Sequence, residues 1–237
     1  MAKKSTDTDG LNAIVRINTQ IQGATPILLH SSNAMNPRNP ILHTLEPIKG
    51  KKGKQKTELI EKSKEKADWL LSGIWLDQGT QWLNGDEFCF SGYGRPALPA
   101  EYLLRTIQAA GTAVRLGTNI KQALSEDDSF FEFQYDGPTD ADLMYNDPSG
   151  IFVDYRSVKI QKARIMRTRV RIPVGWECQC SFYIDTSIID VKTVFNILCD
   201  AGRRVGTGDY RPKFGKFIPK SWDIVGTLED EIGGLAA

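Results

Sequence analysis

Three stretches of this chain alternate apolar and polar residues with a period of two, and that alternation narrows the fold more than any other feature. In LNAIVRINTQIQG, Leu11, Ala13, Val15, Ile17, Thr19 and Ile21 fall on one side. In the run VKIQKARIMRTRVRI, Met166, Thr168, Val170 and Ile172 oppose Arg167, Arg169 and Arg171, and in GWECQCSFYID, Trp176, Cys178, Cys180 and Phe182 share a side. Successive strand side chains point to opposite faces, so each stretch reads as a strand. Two further segments carry helical spacing. RPALPAEYLLRTIQAAGTAVRLG has Pro99 near its first turn and Leu103, Leu104, Ile107 and Ala110 on its apolar side. IDVKTVFNILCDAGRRVG turns Val191, Val194, Phe195, Leu198 and Cys199 inward, with Gly202 or Gly206 able to end it. Strands flanking a helix twice, with KFIPKSWDIV as the closing strand, predict an α+β fold. The expected form is a ferredoxin-like antiparallel sheet with helices on one face and inserted loops.

A length of 237 residues suits one large domain with insertions. Residues 11–226 are expected to form it, between a disordered polar tail at 1–10 and an acidic flexible tail at 227–237. NAMNPRNPILHTLEP, dense in Asn and Pro, reads as irregular. Residues 49–66 carry eight lysines, and with Gly50 and Gly53 the first half reads as a mobile basic loop that leads into a helix reaching Trp69 and Leu70. SGIWLDQG, QWLNG and EFCFSGYG read as hairpin strands. Residues 125–154 turn acidic, without the regular spacing of a calcium loop, and read as a solvated insertion. The tryptophans Trp69, Trp75, Trp82, Trp176 and Trp222 are expected to pack internally.

The formal net charge of +1 hides a strong local asymmetry: residues 156–216 hold thirteen Lys or Arg against five Asp or Glu. Four cysteines show no secreted disulfide framework, and the start MAKKSTDTDG has no apolar core of a signal peptide. The expectation is a cytoplasmic protein, with no membrane segment. Only His30 and His43 accompany the cysteines, so no metal and no cofactor are assigned.

The basic segment ends in VGTGDYRPKFGKF, residues 205–217. Gly206, Gly208 and Gly215 let the backbone take positive φ or approach a ligand closely, while Arg204, Arg211, Lys213 and Lys216 bring cations to the same place. A phosphate-rich partner fits this chemistry, as does a long turn whose glycines serve geometry alone. In the first case the phosphodiester backbone crosses the Arg167, Arg169 and Arg171 face or an adjacent groove, with Arg204, Arg211 and Lys213 contacting phosphates from the loop and Gly206 and Gly208 belonging to the binding site. Tyr210 or Tyr93 stacks on a base, and Lys51, Lys52 and Lys54 close over the strand or touch a neighbouring subunit. In the second case the arginine face is solvated or paired with the acidic block, Arg211 pairs with Asp209, and Tyr210 is core.

The first strand running into TPILLHSS, the RPALPAEYLLRTIQAAG entry to a helix, and the late helix followed by GTGDYRPKFGKF together resemble the repeat-associated mysterious proteins of CRISPR systems. The layout is also similar to uncharacterised bacteriophage proteins with a glycine, aspartate, aromatic, arginine, proline motif, here Gly208, Asp209, Tyr210, Arg211 and Pro212. The resemblance implies a modified RNA-recognition-type domain that binds single-stranded RNA or DNA without catalysis, oligomerising along the strand as CRISPR backbone subunits do. Asp209 and the bulky Tyr210 depart from the usual glycine-rich loop. Two other classes stay open. One is a self-assembling or protein-binding phage component, a homo-oligomer or filament formed through opposite charge blocks, acting in the host cytoplasm. The other is a metal-independent endoribonuclease using His30 with Tyr102 or Lys213.

Overall fold

The computed structural model describes residues 13–51, 58–160 and 163–228. Along the chain run β1 (Ile14–Gly23), β2 (Ile27–Leu28), α1 (Pro40–Lys49), α2 (Glu58–Ser72), β3 (Trp75–Asp77), β4 (Thr80–Asn84), β5 (Glu87–Ser91), β6 (Gly94–Pro99) and α3 (Ala100–Ala113). They are followed by α4 (Gly117–Ala123), β7 (Leu124–Glu126), β8 (Phe130–Glu132), α5 (Ala141–Tyr145), β9 (Val153–Ile160), β10 (Ala163–Ile172) and β11 (Glu177–Asp185). The chain closes with α6 (Val191–Asp200), β12 (Phe217–Pro219) and β13 (Asp223–Thr227).

The main sheet has the order β12-β1-β11-β7, with every pairing antiparallel and β13 continuing alongside β12 on the same edge of β1. Helix α3 lies between β1 and β7 in the chain, and α6 between β11 and β12. Numbering only these strands gives 4-1-3-2, the ferredoxin-like arrangement that the alternating strands and twin helices predict. The buried side of β1 is Val15, Ile17, Thr19 and Ile21, as the period-two pattern requires. It packs with Phe182 and Ile184 of β11 and with Leu103 and Ile107 of α3 and Val194 and Leu198 of α6 in one core. Trp176, Cys178 and Cys180 are buried in the same core, and burial pushes both thiols upward, so they stay protonated apolar fillers. The other face of β1 is polar: Arg16 donates to Asp127 at 2.7 Å, and Gln20 and Gln22 each donate to Glu177 at 2.8 Å.

Insertions build a second layer. Strand β10 pairs along its length with β9 and at its end with β2, and α2 packs against β10 and β5. At its centre Trp69 is fully buried, donates through Nε1 to the Phe152 carbonyl at 3.0 Å, and contacts the rings of Trp75 and Tyr145.

Several local expectations need correction. Residues 40–49 are helical, because Asn39 accepts from the Ile41 amide as an N-cap and Pro40 occupies the first turn, where its missing N–H costs nothing. The segment Gly94–Pro99 is strand β6, and the helix starts after Pro99. The run 158–172 is divided between β9 and β10. The acidic stretch contributes β7, an edge of the main sheet, as well as β8 and α5. The closing strand breaks between β12 and β13, beyond Pro219, and Ser221 enters the gap: its hydroxyl accepts from the Gln20 amide and its carbonyl from Thr19. Trp82 is 46% exposed on β4, and the other four tryptophans are buried or half-buried. The expected tail at 1–10 lies outside the described residues, as does that at 227–237 apart from its first two residues. Among the described residues no helix is long and apolar enough to cross a membrane.

Candidate nucleic-acid interface

The glycine loop is pinned against the segment that follows β1. The Asp209 amide donates to the Leu28 carbonyl at 2.8 Å, the Gly215 amide to Pro26 at 2.9 Å, and the Thr207 amide to Gly215 at 2.8 Å. Gly208 has φ +79°, and a Cβ there would lie 2.6 Å from the Leu28 carbonyl oxygen. Gly215 has φ +71°, and its Cβ would fall onto the Thr207 carbonyl. Glycine is therefore required at both positions by geometry as well as by conformation. Gly206, also at positive φ, ends the turn that extends α6.

Because the loop lies on residues 26–28, it faces His30, which leaves β2 two residues later. Thr106 of α3 ties the two together: its hydroxyl is 2.7 Å from the Tyr102 carbonyl and 3.2 Å from the Gly206 carbonyl, and it accepts from Arg211 Nη1 at 3.4 Å. The Tyr102 hydroxyl donates to the His30 carbonyl at 2.8 Å. Arg167 Nη1 is 2.9 Å from His30 Nε2. A guanidinium only donates, so Nε2 accepts and the imidazole is neutral. Burial, reinforced by the charges of Arg167 and Arg169 and opposed by Asp209, holds the His30 pKa below its ordinary 6.5.

Behind this cleft sits a buried charge cluster. Arg169 is 1% exposed; its Nε donates to Asp209 Oδ2 at 2.6 Å, and Nη1 lies 3.8 Å from Asp154 Oδ2. Burial pushes the Asp209 carboxyl up, but the Tyr210 amide and the bond and charge of Arg169 outweigh it, leaving the group below its ordinary 3.8. Asp154 also pairs with Arg156, whose guanidinium lies 5.1 Å from the centre of the Tyr210 ring and 4.5 Å from that of Phe214. Tyr210 itself has φ +58° and is 40% exposed, so its ring is held by Arg156 and Phe214 while part of it meets solvent.

Three hollows adjoin around the loop. One of about 140 Å³ is lined by His30, Tyr102, Arg105, Gly208, Asp209 and Arg211. A second, of about 520 Å³, includes Ser157, Arg164, Arg167 and Tyr210, and a third, of about 560 Å³, includes Arg204, Gly208, Tyr210 and Arg211. Asp209 borders all three and is their only carboxylate among the described residues.

The residues singled out from sequence thus separate. Arg167, Arg204, Gly208, Tyr210 and Arg211 come together around the hollows, and Gly206 supports them from below. Arg169, expected to meet phosphate, is a correction: it is enclosed and neutralised by Asp209 and Asp154, so it shapes the loop. Arg171 shares its strand face but lies opposite Leu28, half-buried, with its Nε enclosed and without a hydrogen-bond partner. Lys213 is exposed and borders none of the three hollows. Lys51 is bound to Asp86 at 2.6 Å, away from the cleft, and Lys52 and Lys54 lie outside the described residues. The partner expected for Asp209, Arg211, is replaced by Arg169. Arg105 and Arg164 were missed; Arg105 stands three residues after Tyr102 on α3, a spacing that places both on one side. Among the described residues no three His, Cys, Asp or Glu side chains cluster to hold a metal.

Compared with known proteins, the chain matches no family model and no curated protein. Among solved structures it is similar to a chain in the cryo-EM structure of the Type III-B Cmr-beta bound to cognate target RNA, at 11% identity and a TM-score of 0.41. That likeness covers 90% of this chain and 61% of the other. The ferredoxin-like assignment rests on the strand order of this chain alone.

Proposed function

We propose that the chain binds single-stranded nucleic acid without cleaving it, with phosphates following the groove around the glycine loop and a base reaching Tyr210. One observation carries this reading: Arg105, Arg164, Arg167, Arg204 and Arg211 border contiguous hollows whose one carboxylate among the described residues, Asp209, is already held by the buried Arg169. Arg105 and Arg204 pair with Glu101 and Asp200 only at the surface, where such pairs contribute about 0–1 kcal/mol each and yield readily to a phosphate. An unpaired base offers its face to a half-exposed aromatic ring; a base within a duplex does not. Association of copies along the strand, a cytoplasmic location, and kinship with the repeat-associated mysterious proteins belong to the same proposal. The last is supported by the 4-1-3-2 strand order together with the pinned glycine loop.

Cleavage is the second reading, favoured by the presence of His30 and Tyr102 in the smallest hollow. The geometry supports binding better. Arg167 occupies His30 Nε2, and the Tyr102 proton is given to the His30 carbonyl, with burial, first, and Asp209 pushing the phenol pKa upward. The test is fluorescence anisotropy with labelled single-stranded RNA, single-stranded DNA and duplex DNA, followed by gel analysis of each RNA after incubation in a chelator. Binding of a single strand over duplex with the RNA intact is expected. RNA cut by wild type and spared by His30→Ala would replace binding with catalysis, and indifference to every polymer would favour a protein-binding role. Light scattering at low and high salt, with and without the strand, reads the association of copies.

A further inference from the structure

A cavity of about 730 Å³ adjoins the cationic hollows at Tyr102. Tyr102 borders both, and Ser31 and Ser32, the residues after His30, form part of its wall. Its volume is that of a small-molecule site, which ranges from about 300 to 1,000 Å³. The wall mixes polar with apolar and aromatic groups: Ile41, Leu71, Trp75 and Tyr93 are buried, Phe130 is 49% exposed, and Ser32, Asn39 and two glutamines stand among them.

Two amides complete it. Gln78 Nε2 donates to the Trp75 carbonyl at 2.8 Å, which leaves its Oε1 with no partner among the described residues. Gln81 Oε1 accepts from the Tyr93 hydroxyl at 2.6 Å, which leaves its Nε2 likewise. Among its polar groups the cavity therefore offers an amide acceptor and an amide donor beside aromatic side chains. The charged side chain on its wall, Glu101, is paired with Arg105. Gln78 is exposed and Gln81 half-buried, so both amides stand at the solvent-facing side of the cavity, where a planar heterocycle with mixed donor and acceptor edges can meet them.

We propose that this cavity receives a nucleobase of the strand whose phosphates lie in the adjoining hollows, turned in past Tyr102. The inference rests on the binding reading above and adds to it a base-recognition site. Cations and the base pocket then act on different parts of one nucleotide: Arg211 and its neighbours hold phosphate, while Gln78 and Gln81 meet the base edge.

The experiment measures affinity for a base-bearing single strand and for a fully abasic strand of the same length, at several salt concentrations. The proteins are wild type, Gln78→Ala/Gln81→Ala, Phe130→Ala and Arg211→Ala, each checked for its unfolding midpoint. Wild type is expected to prefer the base-bearing strand, and that preference is expected to fall about 10-fold in the cavity variants with the salt slope unchanged. Arg211→Ala is expected to weaken both strands alike. The double variant removes the Tyr93 partner; should it fail to fold, Phe130→Ala and the abasic strand keep the test intact. Cavity variants that keep the wild-type preference, or that change the salt slope, would overturn the pocket while leaving the binding reading standing. Wild type that binds neither strand would remove both. A nucleoside monophosphate that fills the cavity while the strand stays bound at full affinity would make it a free-nucleotide site and also overturn the proposal.

Discussion

Replacing Asp209 by Ala should cost the fold about 3 kcal/mol. Arg169 is enclosed, and its nearest countercharge is the Asp209 carboxylate at 2.6 Å, with Asp154 farther off at 3.8 Å. Removing one member of a buried ion pair costs about 3–5 kcal/mol, because the remaining charge is stranded. Two features place the value at the lower end: the Asp209 side chain is 32% exposed, and Asp154 stays behind to share the charge. In a chain of this size that loss lowers the unfolding midpoint by about 6–12 °C. Asp209→Asn should cost less, since an amide oxygen still accepts from Nε. Arg169→Met/Asp209→Leu should recover much of the loss, because a buried pair exchanged for apolar groups of similar volume is often neutral. Urea unfolding at pH 7 reads all three. The Asp209 pKa is held below 3.8, so its stabilisation is complete at pH 7 and is lost as pH falls from about 3.8 through the lower folded-state value. A loss under about 1 kcal/mol for Asp209→Ala, or a double replacement no better than the single one, would refute the view that Arg169 is a buried brace.

Gly208→Ala combines an unfavourable φ with a Cβ 2.6 Å from the Leu28 carbonyl, so it should lose at least about 1 kcal/mol in urea and weaken strand binding as the loop is displaced. Wild-type stability with reduced binding would show that the loop has room to shift. His30, whose folded pKa lies below 6.5, stays neutral while the unfolded chain takes up a proton; stability should therefore fall as pH drops from about 6.5 toward the folded value. His30→Gln keeps an acceptor for Arg167 without titrating, so its urea midpoints should vary less over that interval. Parallel curves for the two proteins would show that His30 is not held neutral.

The main sheet was legible because its strands have one buried face, and a pattern of period two survives in sequence wherever one face meets water. Helix α1 was not: its signals, an Asn cap and a first-turn Pro, read equally as turn chemistry until the helix was seen to follow. Strand β7 lay hidden in acidic sequence because its three residues form an edge whose side chains are mostly exposed. For the site, the glycine spacing coincides with a loop whose glycines take positive φ, and Arg204 and Arg211 border one hollow beside it. The alternation that placed Arg167, Arg169 and Arg171 on one face was also right, yet it could not show which of them the loop covers. That depends on Asp209, forty residues away, folding over Arg169 and leaving Arg167 at the rim. Tyr102 and Arg105 became visible as neighbours of the loop only when α3 was packed, since Thr106 links to Gly206 across a hundred residues of sequence.

The most direct measurement is the dependence of single-strand affinity on salt for wild type and for Arg167→Ala/Arg204→Ala/Arg211→Ala. Each phosphate contact on a single strand contributes a slope of about −0.7 in log K against log salt. If the three arginines share one phosphate track, the variant should bind more weakly with a slope shallower by about 2. Equal slopes, with folding unchanged, would contradict a common track around the glycine loop.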